Sequence, residues 1–525
     1  NIHILALAGI MAFLSALINQ LVLFIGQQQR KQQKNRTYLC VGASTTSMVM
    51  KGFTELAFPL MIAFLIAFCL IESLYPYYES YTAWNRYGIY ENVSRHLSRT
   101  SLFSNTLSLA GISILIFLFI CYYPIRNLLE HKIRKPALFK QSLIVVQIFI
   151  GSLFFIISLG LFRQLHFILS KDKGIDYERV IQVDLGYSTA HQTNLSVLKP
   201  EMVNHPYIEG VTYTCGNAPV FTEQGDWYGS FYSHFCFDPN ESEPNSYNPV
   251  VVADKDFFSF FKLQPISGNW PTAANPYSYI VNETCLQTLG YTNLLERPIY
   301  IKGQASQAKV CCVIKDYFYA PMQYPILPLF FTTYDNPTVK DFERPYLIYV
   351  RYAKGHKKEV LEHLREITSH IQNDNVNRNK MFTELSDLVD LFNRPEKVIF
   401  TIFSILSLVC ILISTFGIYS LVSLATEQRR KEIAIRKVNG ATFYHILQLF
   451  FREYFMLVAL GNAFALPVGY LVTKRWLETY ANHTTLPAWL FLLVFFFTSG
   501  IVLLSIFRQV KRAATTNPAE IIKTE

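Results

Sequence analysis

The sequence predicts a polytopic α-helical membrane protein, with seven transmembrane helices and an α+β domain outside the bilayer. Three observations predict it. The chain is 51% hydrophobic and 15% aromatic with only 16% charged residues, too apolar for a typical soluble protein. Several uncharged runs are long enough to cross a bilayer, and Val398–Thr426 holds no Asp, Glu, Lys or Arg at all. Arg and Lys gather at the ends of alternate runs, which marks a cytoplasmic side.

The apolar runs follow in order. Ile4–Ile25 is the first, and Arg30, Lys31, Lys34 and Arg36 come after it. Leu56–Ile71 is short by itself, so its helix is expected to extend back toward Phe53 and on toward Tyr75. Asn105–Ile125 and Ser142–Phe162 are separated by Arg126, Lys132, Arg134, Lys135 and Lys140. Val398–Leu424 precedes Arg429, Arg430, Lys431, Arg436 and Lys437. Tyr454–Val472 and Leu486–Phe507 complete the set, and Arg508, Lys511 and Arg512 follow the last. If every run crosses once, all four basic groups share one side, the cytoplasm. A snorkelling flank is the alternative for any single group. The formal net charge of +9 matters less than this placement. The topology puts the N-terminus outside. The chain starts at Asn1, shows no signal peptide, and is expected to lack an upstream segment.

The stretch from Arg163 to Lys397 is too long for a loop and reads as a folded domain. Strand-like runs occur at Arg179–Gly186, Val250–Ala253, Tyr279–Val281, Lys309–Val313 and Tyr346–Arg351. Lys357–Ile371 has helical spacing at Val360, Leu361, Leu364 and Ile367. Trp227, Tyr228, Phe231 and Tyr232 read as core rather than a ligand platform. Nine cysteines show no CxxC pair and no metal-ligand spacing. A Cys215–Cys236 bridge is one option in an oxidising compartment, and the less favoured one.

The two membrane blocks look related. Gly42-Ala43-Ser44 precedes Glu55 as Gly440-Ala441-Thr442 precedes Glu453, and Phe53 matches Phe451. Each pair is 398 positions apart. Both copies run in the same direction, which makes this a parallel repeat. A complete unit is then one span, an outer domain and three more spans. Residues 141–525 hold a whole unit and 1–140 the last three spans, so eight spans are expected in the intact protein.

No catalytic constellation emerges. There is no GxxxxGK[ST] loop, no HExxH and no GxSxG, so no enzyme activity is expected from this chain. The spans hold almost no ionisable groups away from their ends, which argues against an ion-coupled transporter. The candidate site is the basic cytoplasmic helix: Glu427, Arg429, Arg430, Lys431, Glu432, Arg436 and Lys437, with Ile433 and Val438 as apolar contacts. Gly440 can end it in a left-handed cap, and Thr442 can cap the next helix. One reading is an interfacial helix on anionic lipid. The other is a lever docking on a cytoplasmic partner. Glu453, and Glu55 in the first block, could pair with Arg429, Arg430 or Arg436 and fix the lever angle; a solvated flank pair would contribute little. Arg394-Pro395 suits a helix start.

RRKEIAIRKVNGAT followed by Glu453, with the tail NPAEIIKTE at Asn517–Glu525, resembles the FtsX-like/MacB-type permeases of ABC transporters. Phe162–Val180, Tyr279–Tyr291 and Val313–Phe331 resemble segments of that family's periplasmic core domain and the stalk before it. The doubled layout resembles the large permeases of Bacteroidota-type bacteria. The resemblance implies four parts: a first FtsX-like block at 1–140, a transmembrane stalk helix at 141–163, a MacB-like periplasmic domain at 164–397, and a second block at 398–525 with a coupling helix at 427–442. It implies a bacterial inner-membrane protein that moves no substrate through a central pore. A separate ATPase dimer would bind the coupling helix, hold ATP and magnesium, and rock the stalks. The first block keeps charge at Gln29–Lys34 but loses the E-I-x-I-R-K pattern, so its docking site is expected to be degenerate and the two ATPase contacts unequal. A periplasmic adaptor or hydrolase and membrane lipid are further expected partners; nucleic acid is not. Two rivals remain: a regulatory complex of the same architecture that activates an envelope hydrolase or senses antimicrobial peptides, and a non-ABC receptor with an extracytoplasmic ligand-binding domain.

Overall fold

The computed structural model describes residues 2–31, 37–38, 41–83, 99–129, 136–186, 195–215, 231–236, 247–272, 277–301, 308–337, 339, 345–369 and 381–515. The Asn517–Glu525 tail, Trp227 and Tyr228, and Lys34, Arg36, Lys132, Arg134 and Lys135 lie outside them.

The chain divides into two compact units. The first comprises Asn1–Arg163, Val398–Leu477 and Thr485–Glu525; the second comprises Gln164–Lys397 and Glu478–Thr484. Long helices build the first. These are α1 (Ile2–Arg30), α2 (Thr45–Ala83), α3 (Arg99–Leu129), α4 (Pro136–Ser170), α5 (Arg394–Gln428), α6 (Arg430–Val438), α7 (Phe443–Leu477) and α8 (Trp489–Thr515). Among the described residues, five stretches are long and apolar enough to cross a membrane: Thr46–Ser73, Gln141–Ser170, Glu396–Ser420, Phe443–Leu477 and Trp489–Lys511. The other two expected spans fall on α1 and α3, whose described apolar stretches, Ala8–Gln20 and Thr100–Leu115, are shorter.

Small residues let these helices approach one another. Gly461, Ala465, Gly469 and Thr473 recur every four residues on α7 and are all buried. A Cβ at Gly461 would lie 2.7 Å from Ile148 Cγ2, and one at Gly469 would lie 2.9 Å from Ile156 Cδ1, so α7 rests directly on α4. On α5, Ser404, Cys410 and Ser414 face α4 as well. Ser404 and Ser158 share a hydrogen bond of 3.1 Å, Ser414 Oγ donates to the Gln147 carbonyl at 3.2 Å, and Gly151 would place a Cβ 3.4 Å from Ser414 Oγ and 4.0 Å from the Cys410 carbonyl. Helix α4 is the most enclosed of the five stretches.

The second unit is α+β, with eleven strands among the described residues: β1 (Val180–Asp184), β2 (Ile208–Cys215), β3 (Phe231–Cys236), β4 (Tyr247–Ala253), β5 (Pro265–Gly268), β6 (Ser278–Asn282), β7 (Pro298–Ile301), β8 (Ala308–Ile314), β9 (Phe330–Thr333), β10 (Leu347–Tyr352) and β11 (Phe382–Glu384). Antiparallel pairing gives β11-β1-β10-β2. Its two faces carry different cores because side chains alternate along a strand. Ile181, Val183, Ile348 and Val350 pack against Leu198 and Met202 of helix Leu195–Val203 and Val360 and Leu364 of helix Lys357–Ile367. Val180, Leu347 and Tyr349 face Phe257, Phe261, Phe331 and Leu385. Beyond β2 the ladder closes on itself. β3, β4, β9, β6, β8 and β7 pair in a ring, with β4–β9 and β6–β8 parallel. Its interior holds Phe235, Val250, Tyr279, Val281, Ile299, Val310 and Phe330. Phe235 and Phe330 stack at 3.9 Å.

The disulfide option fails. Cys215 is a buried thiol that forms no disulfide, and its sulfur lies 2.7 Å from the Tyr334 hydroxyl. β2 and β3 both pair with β4 and not with each other, so nothing in the ladder draws Cys215 toward Cys236. Phe231 and Tyr232 lie on β3.

Candidate functional site

The site is the corner where α5 ends and α7 begins. Helix α5 runs unbroken from Arg394 to Gln428, with Pro395 in its first turn. After a turn at Arg429 the nine-residue α6 carries Glu432 in its first turn and Arg436 and Lys437 in its last, the placement that complements a helix dipole. Arg430 and Lys431 open α6, and Glu427 lies in the last turn of α5. Gly440 has φ +88°, which a side chain would resist, and the Ala441 amide closes back on the Arg436 carbonyl at 2.9 Å. Thr442 Oγ1 then accepts the His445 amide at 3.4 Å and starts α7.

Arg429 meets Glu453. Its Nη1 donates to Oε2 at 2.9 Å and its Nη2 to Oε1 at 3.5 Å, while Gln141 Nε2 of α4 donates to Oε1 at 3.5 Å. Arg429 also lies 5.7 Å over the Phe450 ring. Arg436 turns instead to Glu432 at 2.7 Å, one turn away on α6. Both Arg429 and Glu453 are partly exposed, so the pair stabilises by about 1 kcal/mol or less. Its effect is geometric: a two-pronged contact fixes where α6 leaves α5.

Burial splits the apolar residues of α6. Ile433 and Ala434 are buried, and Ile433 packs with Ile418, Val422, Ile446 and Ile506. Ile433 therefore makes its apolar contacts inside the bundle and is not free to meet a partner. Val438 is exposed, as that reading expects, together with Ile435 and Tyr444, which the pattern did not single out. Tyr444 escaped because an aromatic at the head of an apolar run reads as part of the span.

The first block repeats this geometry 398 positions earlier. Lys31 Nζ donates to both Glu55 oxygens at 2.9 Å. Gly42 has φ +98°, and the Ala43 amide reaches the Tyr38 carbonyl at 2.9 Å. Ser44 Oγ accepts the Ser47 amide at 3.1 Å. The stretch 32–36 between them lies outside the described residues.

A bundle of apolar helices with an inserted α+β unit is the architecture of a multi-pass membrane protein. Residues 404–518 match the family model described as FtsX-like permease C-terminal, so the chain carries an FtsX-like permease domain. That match encloses most of α5, all of α6 and α7, and α8. No curated protein matches the chain. Among solved structures, the periplasmic region of MacB from Actinobacillus actinomycetemcomitans is similar, at 15% identity over 38% of this chain and 86% of that one, with a TM-score of 0.27. So is a domain of a protein described as a permease from Porphyromonas gingivalis, at 15% identity, 40% and 91% coverage and a TM-score of 0.27. The extracellular domain of the ABC-type transporter YknZ from Gram-positive bacteria is similar at 10% identity, 36% and 92% coverage and a TM-score of 0.26.

Proposed function

We propose that the chain is the permease subunit of an ABC transporter in a bacterial inner membrane. A separate cytoplasmic ATPase dimer docks on α6, and α5 passes the resulting movement to the α+β unit, which lies in the periplasm. The FtsX-like match over 404–518 carries this reading, because it takes in α6 and the helices that hold it. The surface of α6 supports it. Ile435, Val438 and Tyr444 are exposed beside Glu432 and Arg436, a mix suited to a protein partner. ATP and magnesium belong to the partner, since this sequence has no P-loop. The work served is export, or lipoprotein or peptide handling, at the envelope. Coupling needs a stiff element whose two arrangements both ends can bias. Arg429–Glu453 would set the angle of that element at its cytoplasmic end.

The test is co-purification from native membranes. The wild-type chain should bring down a P-loop ATPase. Replacing Arg429, Arg430, Lys431 and Arg436 together by acidic residues should abolish its capture while leaving membrane insertion intact. Undiminished ATPase binding by that variant would exclude α6 as the docking element. Failure to capture any P-loop protein would favour a non-ABC receptor.

A further inference from the structure

Helices α1 and α5 correspond along the repeat: positions 2–30 plus 398 give 400–428, the body of α5. Asn19 and Gly417 are counterparts on that scale, and they touch. A Cβ at Gly417 would lie 2.7 Å from Asn19 Oδ1. A position that packs on its own counterpart lies on the axis relating two copies. The same point is 2.7 Å from Gln147 Oε1 and 3.2 Å from Gln147 Nε2, so α4 reaches the crossing too.

The chemistry there is unusual for a membrane bundle. Gln147 is fully buried, and neither its side-chain Oε1 nor its side-chain Nε2 has a hydrogen-bond partner among the described residues. Asn19 Oδ1 and, one turn earlier on α1, the Ser15 hydroxyl are buried without a partner as well. Apolar packing does not call for two carboxamides against a glycine with a buried hydroxyl one turn away, and such groups are costly unless bonded. Asn19 Oδ1 and the Gln147 side-chain atoms all lie near one point, less than about 6 Å apart, yet they make no direct bond. One bridging water, which needs two to four polar partners, fits within that bound.

We propose that Gln147 is a positioning residue. Together with Asn19 and Ser15 it binds water at the crossing of α1 and α5, and this hydrated node sets the register of the two repeat helices. Gly417 is required there because any side chain would occupy the space the carboxamides use. The inference does not depend on an ATPase partner.

The full chain in nanodiscs tests it through two readouts. The first is radiolytic hydroxyl-radical labelling, which reports ordered water beside buried side chains. Ile148 and Ile418, chain neighbours of Gln147 and Gly417, should label above the buried reference Phe450, and Gln147→Leu should bring them down to that reference. The second is thermal unfolding. Gln147→Leu and Asn19→Leu should each lower the midpoint, and the double variant should lose less than the two losses combined. Gly417→Ala should lower it too. If Gln147→Leu does not fold, Ser15→Ala, which removes one hydroxyl, should still reduce labelling at Ile148. Labelling no higher than at Phe450 in the wild type, with a raised midpoint in Gln147→Leu, would overturn the proposal: the node would be dry.

Discussion

Arg351 does what no motif announces. It is buried on β10, and its guanidinium donates to the carbonyls of Asp176, Glu178 and Phe260 at 3.0, 3.1 and 2.7 Å. It also pairs with the Asp176 carboxylate at 3.1 Å. One cation thereby ties the chain just before β1 to the sheet. Burial alone would raise the Asp176 carboxyl, but Lys262 and Arg351 outweigh it and hold it below its ordinary value. A depressed carboxyl adds stability above its unfolded value, near 3.8, that is lost as pH falls through the lower folded one. Acid unfolding of the α+β unit should therefore steepen below about pH 4, and Asp176→Asn should flatten it. Arg351→Met should cost about 3 kcal/mol, read by thermal unfolding, because it strips a buried charge pair of one partner. The thiols make a second case. Burial pushes Cys285 and Cys312 up to about 12 and Cys311 to about 11. So little thiolate exists near neutrality that Cys285 and Cys312 should resist iodoacetamide until the fold opens, as mass spectrometry would show. Rapid modification of either in the native state would contradict their burial.

At the scale of elements, the four-residue stripe Gly461-Ala465-Gly469-Thr473 decides how α7 meets α4. The stripe is legible in the sequence, but a helix carrying small residues could pack on any neighbour. What identifies α4 is the close approach of Ile148 and Ile156. Gly461→Ile should separate the two helices and lower thermal stability in detergent, whereas the same change at Gly500, which meets nothing within 4 Å, should be tolerated. Equal losses at both positions would mean the stripe has no special role. The elements of the α+β unit were also legible. Alternation at Arg179–Gly186 and Tyr346–Arg351 becomes β1 and β10, and the spacing of Val360, Leu361, Leu364 and Ile367 becomes helix Lys357–Ile367. The helix ends four residues earlier than read from the apolar pattern, because that pattern carries no information about the last hydrogen-bonded turn.

For the whole molecule, the sequence segments Tyr279–Tyr291 and Val313–Phe331 meet in one hydrogen-bonded node. Asn282 donates to Asp316 at 2.8 Å and to the Leu327 carbonyl at 3.0 Å, and Asp316 accepts from Thr284. Nothing in either segment alone specifies the other. Topology is the prediction that belongs here. With basic groups cytoplasmic, a single added cysteine at Ser196 or Lys358 should react with an impermeant maleimide in intact cells, and one at Val438 only after permeabilisation. Labelling of both from the same side would remove the basis for any transmission across the bilayer.

The sequence by itself determined the apolar runs, the basic clusters at their ends, the strands and helix of the inserted unit, and the 398-residue recurrence. Each is written in neighbouring side chains, where hydrophobic period and charge act over a few residues. Only the tertiary structure decided that Arg429 takes Glu453 while Arg436 turns to Glu432, that Ile433 turns inward, that six strands close into a ring, and that Asn19, Gln147 and Gly417 converge. Those outcomes depend on groups tens to hundreds of residues apart, and local pattern places no constraint on which of several equally suitable partners the packed chain brings within reach.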